Sequence, residues 1–140
     1  MAANTIAIQV RWSDADPAGI AFYSRFFEWY DLGCAALFDS IGLPWPVIFP
    51  QYDIVGLPIV ESGSRFSSPV RYGDSVSVRS VVAWVKEKTF RVEHEVSVGD
   101  RRCAQGFEVR AWVPRSVTAA TPLQAKPIPP EVVEKLTQTE

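Results

Sequence analysis

Hydrophobic and polar residues alternate from Thr5 to Trp12, with Ile6, Ile8, Val10 and Trp12 on one face and Thr5, Ala7, Gln9 and Arg11 on the other. That period of two predicts a strand with one buried side. A cluster of turn formers follows, Ser13-Asp14-Ala15-Asp16-Pro17-Ala18-Gly19. From about Ala21 to Ile41 the period becomes helical: Phe22, Phe26, Trp29, Gly33, Ala36 and Leu37 share a face, and Gly42 and Pro44 supply a stop. Tyr23, Phe27, Tyr30, Cys34 and Phe38 form a second apolar arc beside the first, leaving a narrow strip with Arg25, Glu28 and Asp39 for solvent. A helix apolar around most of its circumference is normally enclosed. Something must wrap it.

The rest of the chain supplies the wrapping. After a proline-rich stretch from Leu43 to Pro50, extended segments are predicted at about Ile54–Val70, Ser75–Val85, Thr89–Val98 and Arg102–Val113. Val76, Val78, Val82 and Trp84 alternate, as do Phe90, Val92, His94, Val96 and Val98, and then Phe107, Val109, Ala111 and Val113. Gly99-Asp100 is a two-residue hairpin signal, and Lys86-Glu87-Lys88 makes a short turn one strand earlier. Strands so closely linked are antiparallel neighbours. Beyond Pro114 a tail ends in a short helix beginning near Pro130, since proline is favoured in a first helical turn. The order is β-α-β-β-β-β. It predicts an α+β fold, a curved antiparallel five-stranded sheet wrapped around one long central helix, which is the hot-dog arrangement.

Composition narrows the function classes. The chain's 140 residues fit one domain, with a core over about 5–114 and a tail over 115–140. A net charge of −2 without an arginine-lysine run argues against nucleic acid or an anionic membrane as the main partner. Two cysteines, Cys34 and Cys103, lack a CxxC spacing and read as reduced core thiols, which fits a cytoplasmic setting. One histidine and two scattered cysteines make no zinc pattern, so neither metal nor cofactor is expected. No secretory leader and no apolar run of bilayer length is expected at the start.

The candidate chemistry sits in the strand-to-helix loop. Asp16 precedes Pro17, so its backbone is extended. Gly19 lets the chain turn closely, and the free amides of the helix start carry partial positive charge. Aromatic side chains then follow. A carboxylate beside helix-start amides suits thioester hydrolysis: the carboxylate attacks the carbonyl or activates water, and the amides stabilise the oxyanion. Equally, Asp before Pro is a common helix start, with Asp16 or Asp14 as the cap.

The stretch Asp14-Ala15-Asp16-Pro17-Ala18-Gly19-Ile20-Ala21-Phe22-Tyr23 resembles the signature loop of the 4-hydroxybenzoyl-CoA thioesterase family of hot-dog enzymes. The similarity continues through Trp29, Asp31, Gly42-Leu43-Pro44-Trp45, Ile54-Val55-Gly56 and Pro58-Ile59-Val60, and faintly at Tyr72, Asp74 and Lys88-Thr89-Phe90. It implies an acyl-CoA thioesterase acting on an aryl-CoA, with Asp16 as catalytic carboxylate and the Tyr23 backbone N–H polarising the carbonyl. Gly19, Asp31, Trp45 and Leu57 fall at implied substrate-binding positions, and Lys86, Lys88 and Thr89 at an implied coenzyme A anchor. Leu57 stands where the hydroxybenzoyl enzymes carry a polar residue, which implies a more apolar acyl pocket, and Glu87 stands where a second basic residue of the coenzyme A anchor is expected. The resemblance further implies a homodimer or homotetramer. Alternatives on this fold are a short-chain acyl-CoA thioesterase, a non-catalytic acyl-CoA-binding protein and a hydratase; Ala21 stands five residues past Asp16 and His94 is the only histidine, which disfavours the hydratase. Glu61 is a second candidate carboxylate, and His94 reads as a hydrogen-bonded core histidine.

Overall fold

The structure, a computed structural model, describes residues 1–115 and 123–139. The 116–122 part of the expected tail and residue 140 lie outside the described residues. The elements run β1 (Ala3–Gln9), α1 (Tyr23–Ser40), α2 (Trp45–Gln51), β2 (Ile54–Gly56), β3 (Ile59–Phe66), β4 (Ser75–Val85), β5 (Thr89–Val98), β6 (Arg101–Ala111), β7 (Val113–Pro114) and α3 (Pro130–Thr137). Five strands form one antiparallel sheet in the order β1-β4-β5-β6-β3, and β2 pairs with β7 in a small second sheet. The expected hot-dog architecture is present: α1 lies against the inner face of the sheet.

Both predicted hairpins close as their turn residues dictate. Val98 pairs with Arg101 across Gly99-Asp100, where Gly99 has φ +58°. The Lys86 amide donates to the Thr89 carbonyl at 2.8 Å across the other. Two expectations change. The stretch from Leu43 to Pro50 contains a helix, α2, because Pro44 is its N-cap and Pro46 sits in its first turn, where a missing N–H breaks no bond. Trp12 leaves the buried face: β1 ends at Gln9, the chain enters a 3₁₀ turn over Trp12–Asp14, and the indole is 72% exposed.

The core has two apolar regions along α1. Phe26, Trp29 and Tyr30 meet Val76, Val78, Val96 and Ala104 near the helix start. Cys34, Leu37 and Phe38 meet Val82, Phe90, Val92, Trp112, Val132 and Leu136 toward its end. A side chain such as Phe38, fully buried, contributes about 2–3 kcal/mol through its apolar area. The second apolar arc of α1 is only half enclosed, since Tyr30, Cys34 and Phe38 are buried while Tyr23 is exposed.

The inner face of β6 also differs from its apolar alternation. His94 faces Gly106 across the β5–β6 pair, and a Cβ on Gly106 would strike the Tyr30 ring. The residues pointing at the helix are therefore Ala104, Gly106, Glu108 and Arg110, while Phe107 lies outside beneath the Arg91 guanidinium. The pair is tolerated inside because Glu108 and both terminal guanidinium nitrogens of Arg110 are hydrogen-bonded there, although Arg110 Nε has no partner.

Candidate active site

The loop between β1 and α1 is a pinned hairpin-like turn. The Asp16 amide donates to the Ile20 carbonyl (2.9 Å), the Gly19 amide to the Asp16 carbonyl (2.9 Å), and Gly19 has φ +79°, which glycine adopts without penalty. The Ala18 amide donates to Asp16 Oδ1 at 2.8 Å, closing an Asx turn. Neighbouring chain anchors this turn: the Ala21 amide reaches the Val70 carbonyl (2.7 Å) and the Tyr72 amide the Gly19 carbonyl (3.2 Å). Asp16 thus organises its own turn and caps no helix. The helix begins seven residues later, and its N-cap Phe22 has no capping side chain.

Asp14 is the brace. It is 1% exposed, its carboxylate accepts from the Arg11 amide (2.9 Å) and guanidinium (3.2 Å), and Arg25 Nε stands 3.8 Å away. Burial alone would raise the Asp14 carboxyl; the Arg11 amide and the two guanidinium groups outweigh it and hold it below the usual carboxylate range. The Asp14 carbonyl also accepts from the Phe22 amide at 2.9 Å. Both ends of the Asp16 turn are therefore tied to one buried residue.

Asp16, Tyr23, Phe22, Ile20 and Phe26 border a cleft of about 460 Å³, closed on its other side by Phe66, Pro69 and Val70. Tyr23 is the first helical residue, so its N–H has no acceptor within the helix. The cleft joins an acceptor-rich carboxylate, an orphaned amide at the positive helix end and an apolar wall. Such a set can bind an acyl group, polarise its carbonyl and attack it.

The sequence model of the thioesterase-like superfamily matches residues 10–136. The chain belongs to that superfamily. It is 30% identical over 94 residues to the 4-hydroxybenzoyl-CoA thioesterase of Pseudomonas sp. (strain CBS-3), covering 66% of this chain and 67% of that one. It is 27% identical over 101 residues to a 1,4-dihydroxy-2-naphthoyl-CoA hydrolase of Synechococcus sp. (strain CC9902), covering 69% of this chain and 68% of the relative. Among solved structures it matches a gentisyl-coenzyme A thioesterase with a TM-score of 0.80 and 31% identity, over 92% of this chain and 98% of that one. This chain is accordingly a thioester hydrolase.

Other expected site residues of this thioesterase stand apart from Asp16 within one chain. Asp31 lies two turns along α1, roughly 12 Å past Tyr23 at 1.5 Å per residue, in a second groove with Phe27, Leu32 and Ile59. Trp45 opens α2 and stacks on Phe49. The Leu57 side chain is buried in the core. Lys86, Lys88 and Thr89 flank the β4–β5 turn, at the opposite end of the 11-residue β4 from the Asp16 loop, roughly 33 Å away by strand rise. Lys86 Nζ sits 4.5 Å from the Trp84 ring centroid. Glu61 is exposed on β3, opposite Val109.

Sequence reasoning missed the polar layer between the two core regions. Ser80 Oγ lies 2.7 Å from His94 Nδ1, His94 Nε2 lies 2.7 Å from Glu108 Oε1, and Arg110 Nη2 donates to both Glu108 Oε2 and Asp31 Oδ1 at 2.6 Å. His94 is thus the hydrogen-bonded core histidine expected, stacked on Tyr30 with ring centroids 4.9 Å apart. A signal was available, because Ser80 pairs directly with His94 across β4–β5 and Glu108 stands two residues past His94's partner on β6. No single helix among the described residues is long and apolar enough to cross a membrane, and no group of metal-ligating side chains gathers among them.

Proposed function

We propose that this thioesterase hydrolyses an aryl-CoA thioester, hydroxybenzoyl- or benzoyl-CoA-like, to the free acid and coenzyme A. The observation that carries the reading is that Asp16 and the first helical residue, Tyr23, border one apolar cleft. The Asp16 carboxylate attacks the thioester carbonyl carbon, or takes a proton from a water that does. As the new C–O bond forms, the carbonyl electron pair moves onto oxygen, which accepts a hydrogen bond from the Tyr23 N–H. Collapse of the tetrahedral species expels the coenzyme A thiolate. In the nucleophilic route a water then hydrolyses the mixed anhydride and restores Asp16. The cleft's aromatic wall suits an aryl acyl group, and the three relatives above are all named for aryl-CoA substrates.

The remaining expected residues join this site if two copies pair along β3. That strand is a sheet edge with Ile59, Val60 and Phe66 exposed at 47%, 60% and 48%, and an open apolar edge is a template for pairing. Two-fold antiparallel pairing sets the Phe66 end of one copy against the Ile59 end of the other. Phe66 borders the Asp16 cleft and Ile59 borders the Asp31 groove, so the partner subunit's Asp31 then faces the acyl group. The partner's Lys86 and Lys88 turn lies at that same end and reaches toward the nucleotide.

Asp16→Asn tests the chemistry. We expect release of free thiol from benzoyl- and hydroxybenzoyl-CoA to fall at least a hundredfold, with an unchanged unfolding midpoint. Near-normal turnover by the purified variant would remove Asp16 from the reaction.

A further inference from the structure

Among the described residues, the buried polar or charged ones are Asp14, Ser80, His94, Glu108 and Arg110. All but Asp14 belong to one connected chain across the middle of the core, and Asp31 is the end at which that chain meets solvent. Arg110 is its junction. Its side chain is 6% exposed, Nη1 donates to the Leu57 carbonyl at 2.9 Å, Nη2 serves Glu108 and Asp31, and the guanidinium carbon lies 5.1 Å from the Trp45 ring centroid. The Cys34 thiol beside it is pushed up by burial and stays protonated, so the charges facing Arg110 are Glu108 and Asp31.

This arrangement is hard to explain by stability. Glu108 alone neutralises the buried guanidinium, and buried ion pairs are on average no better than apolar side chains of the same shape. Asp31 is 54% exposed and needs no partner to remain solvated. What the contact to Arg110 achieves is direction. One carboxylate oxygen of Asp31, a residue that borders the groove, is fixed at 2.6 Å on a guanidinium that is itself held by Glu108, Leu57 and Trp45. A carboxylate accepts hydrogen bonds and donates none. Held this way, it selects a ring hydroxyl and discriminates against a ring that lacks one, because binding the latter leaves the oriented acceptor unpaired.

We propose that Arg110 is a positioning residue for acyl-group selection, clamping the Asp31 carboxylate so that it favours hydroxylated over unsubstituted aryl groups. This rests on the reading of Asp31 as an acyl-site residue. The test is the ratio of kcat/KM for 4-hydroxybenzoyl-CoA to that for benzoyl-CoA. It should fall about tenfold in the double variant Arg110→Met with Glu108→Gln, which leaves no buried charge unpaired, and about threefold in Arg110→Lys, whose ammonium keeps the charge and loses the fork. The loss should fall in the KM of the hydroxylated substrate. In an Asp31→Asn background, which removes the carboxylate that Arg110 clamps while Glu108 still pairs the guanidinium, Arg110→Lys should have no further effect on the ratio. A ratio within twofold of the parent's in Arg110→Lys, or an undiminished effect in the Asp31→Asn background, overturns the proposal. If the parent turns over no aryl-CoA, the aryl-CoA reading of the substrate falls. The clamp is then read from the same ratio in binding of the thioethers 4-hydroxyphenacyl-CoA and phenacyl-CoA by calorimetry, with the same two overturning results.

Discussion

Asp14→Ala probes whether one buried carboxylate holds the Asp16 turn in place. The substitution removes a charge-assisted bond from the Arg11 amide at 2.9 Å, a paired guanidinium at 3.2 Å and a weaker attraction to Arg25 at 3.8 Å. A hydrogen bond to a buried charge is worth roughly 1.5–3 kcal/mol. The Arg11 side chain, 70% exposed, regains water on losing its partner, so that ion pair adds little. Arg25 keeps Glu28 at 3.0 Å and loses little. The expected destabilisation at pH 7 is about 2–3 kcal/mol, read by urea unfolding followed through tryptophan fluorescence. Because the Asp14 carboxyl lies below the usual range in the folded protein, its contribution is fully present above its unfolded value near 3.9 and is lost as pH falls through the folded value. The stability gap between parent and variant should therefore close in acid, below about pH 4. A gap under about 0.5 kcal/mol at pH 7, or one that stays constant into acid, would refute the brace.

Two further outcomes follow from the geometry. Gly106→Ala places a methyl in the ring of Tyr30, which is fully buried, and should lower stability by about 2 kcal/mol or more; a thermal midpoint within about a degree of the parent's would mean that the ring moves aside freely. Val60→Lys puts a charge on the exposed β3 edge. It should shift sedimentation toward the monomer and reduce thioester turnover with it, and a fully active monomer would contradict a site shared between copies.

What was legible in the chain was whatever depends on neighbours in sequence. Strands β4 and β5 appear at their expected bounds because period-two apolar faces and two- or three-residue links leave one way to pair them. The Asp16 turn was equally local, since Asp-Pro-Ala-Gly supplies an extended residue, an Asx acceptor and a positive φ within four positions. Function at that turn was harder to read, because a cap and a catalytic carboxylate call for the same residues. The geometry removes the cap: Asp16 closes only its own Asx turn and caps nothing helical, while the loop is braced by Asp14, whose partners Arg11 and Arg25 lie on either side of it. The polar layer was concealed for a related reason. Glu108 and Arg110 alternate with Phe107, Val109 and Ala111, and hydrophobic alternation assigns the inner face to the apolar set. The assignment inverts because His94 and Asp31, 14 and 79 residues away from Glu108 and Arg110, satisfy the charges from across the fold. Periodicity weighs each side chain against water and not against a partner elsewhere in the chain. Its errors therefore gather where polar groups pair at long range, and in this thioesterase that layer runs from the core to the aspartate expected at the acyl group.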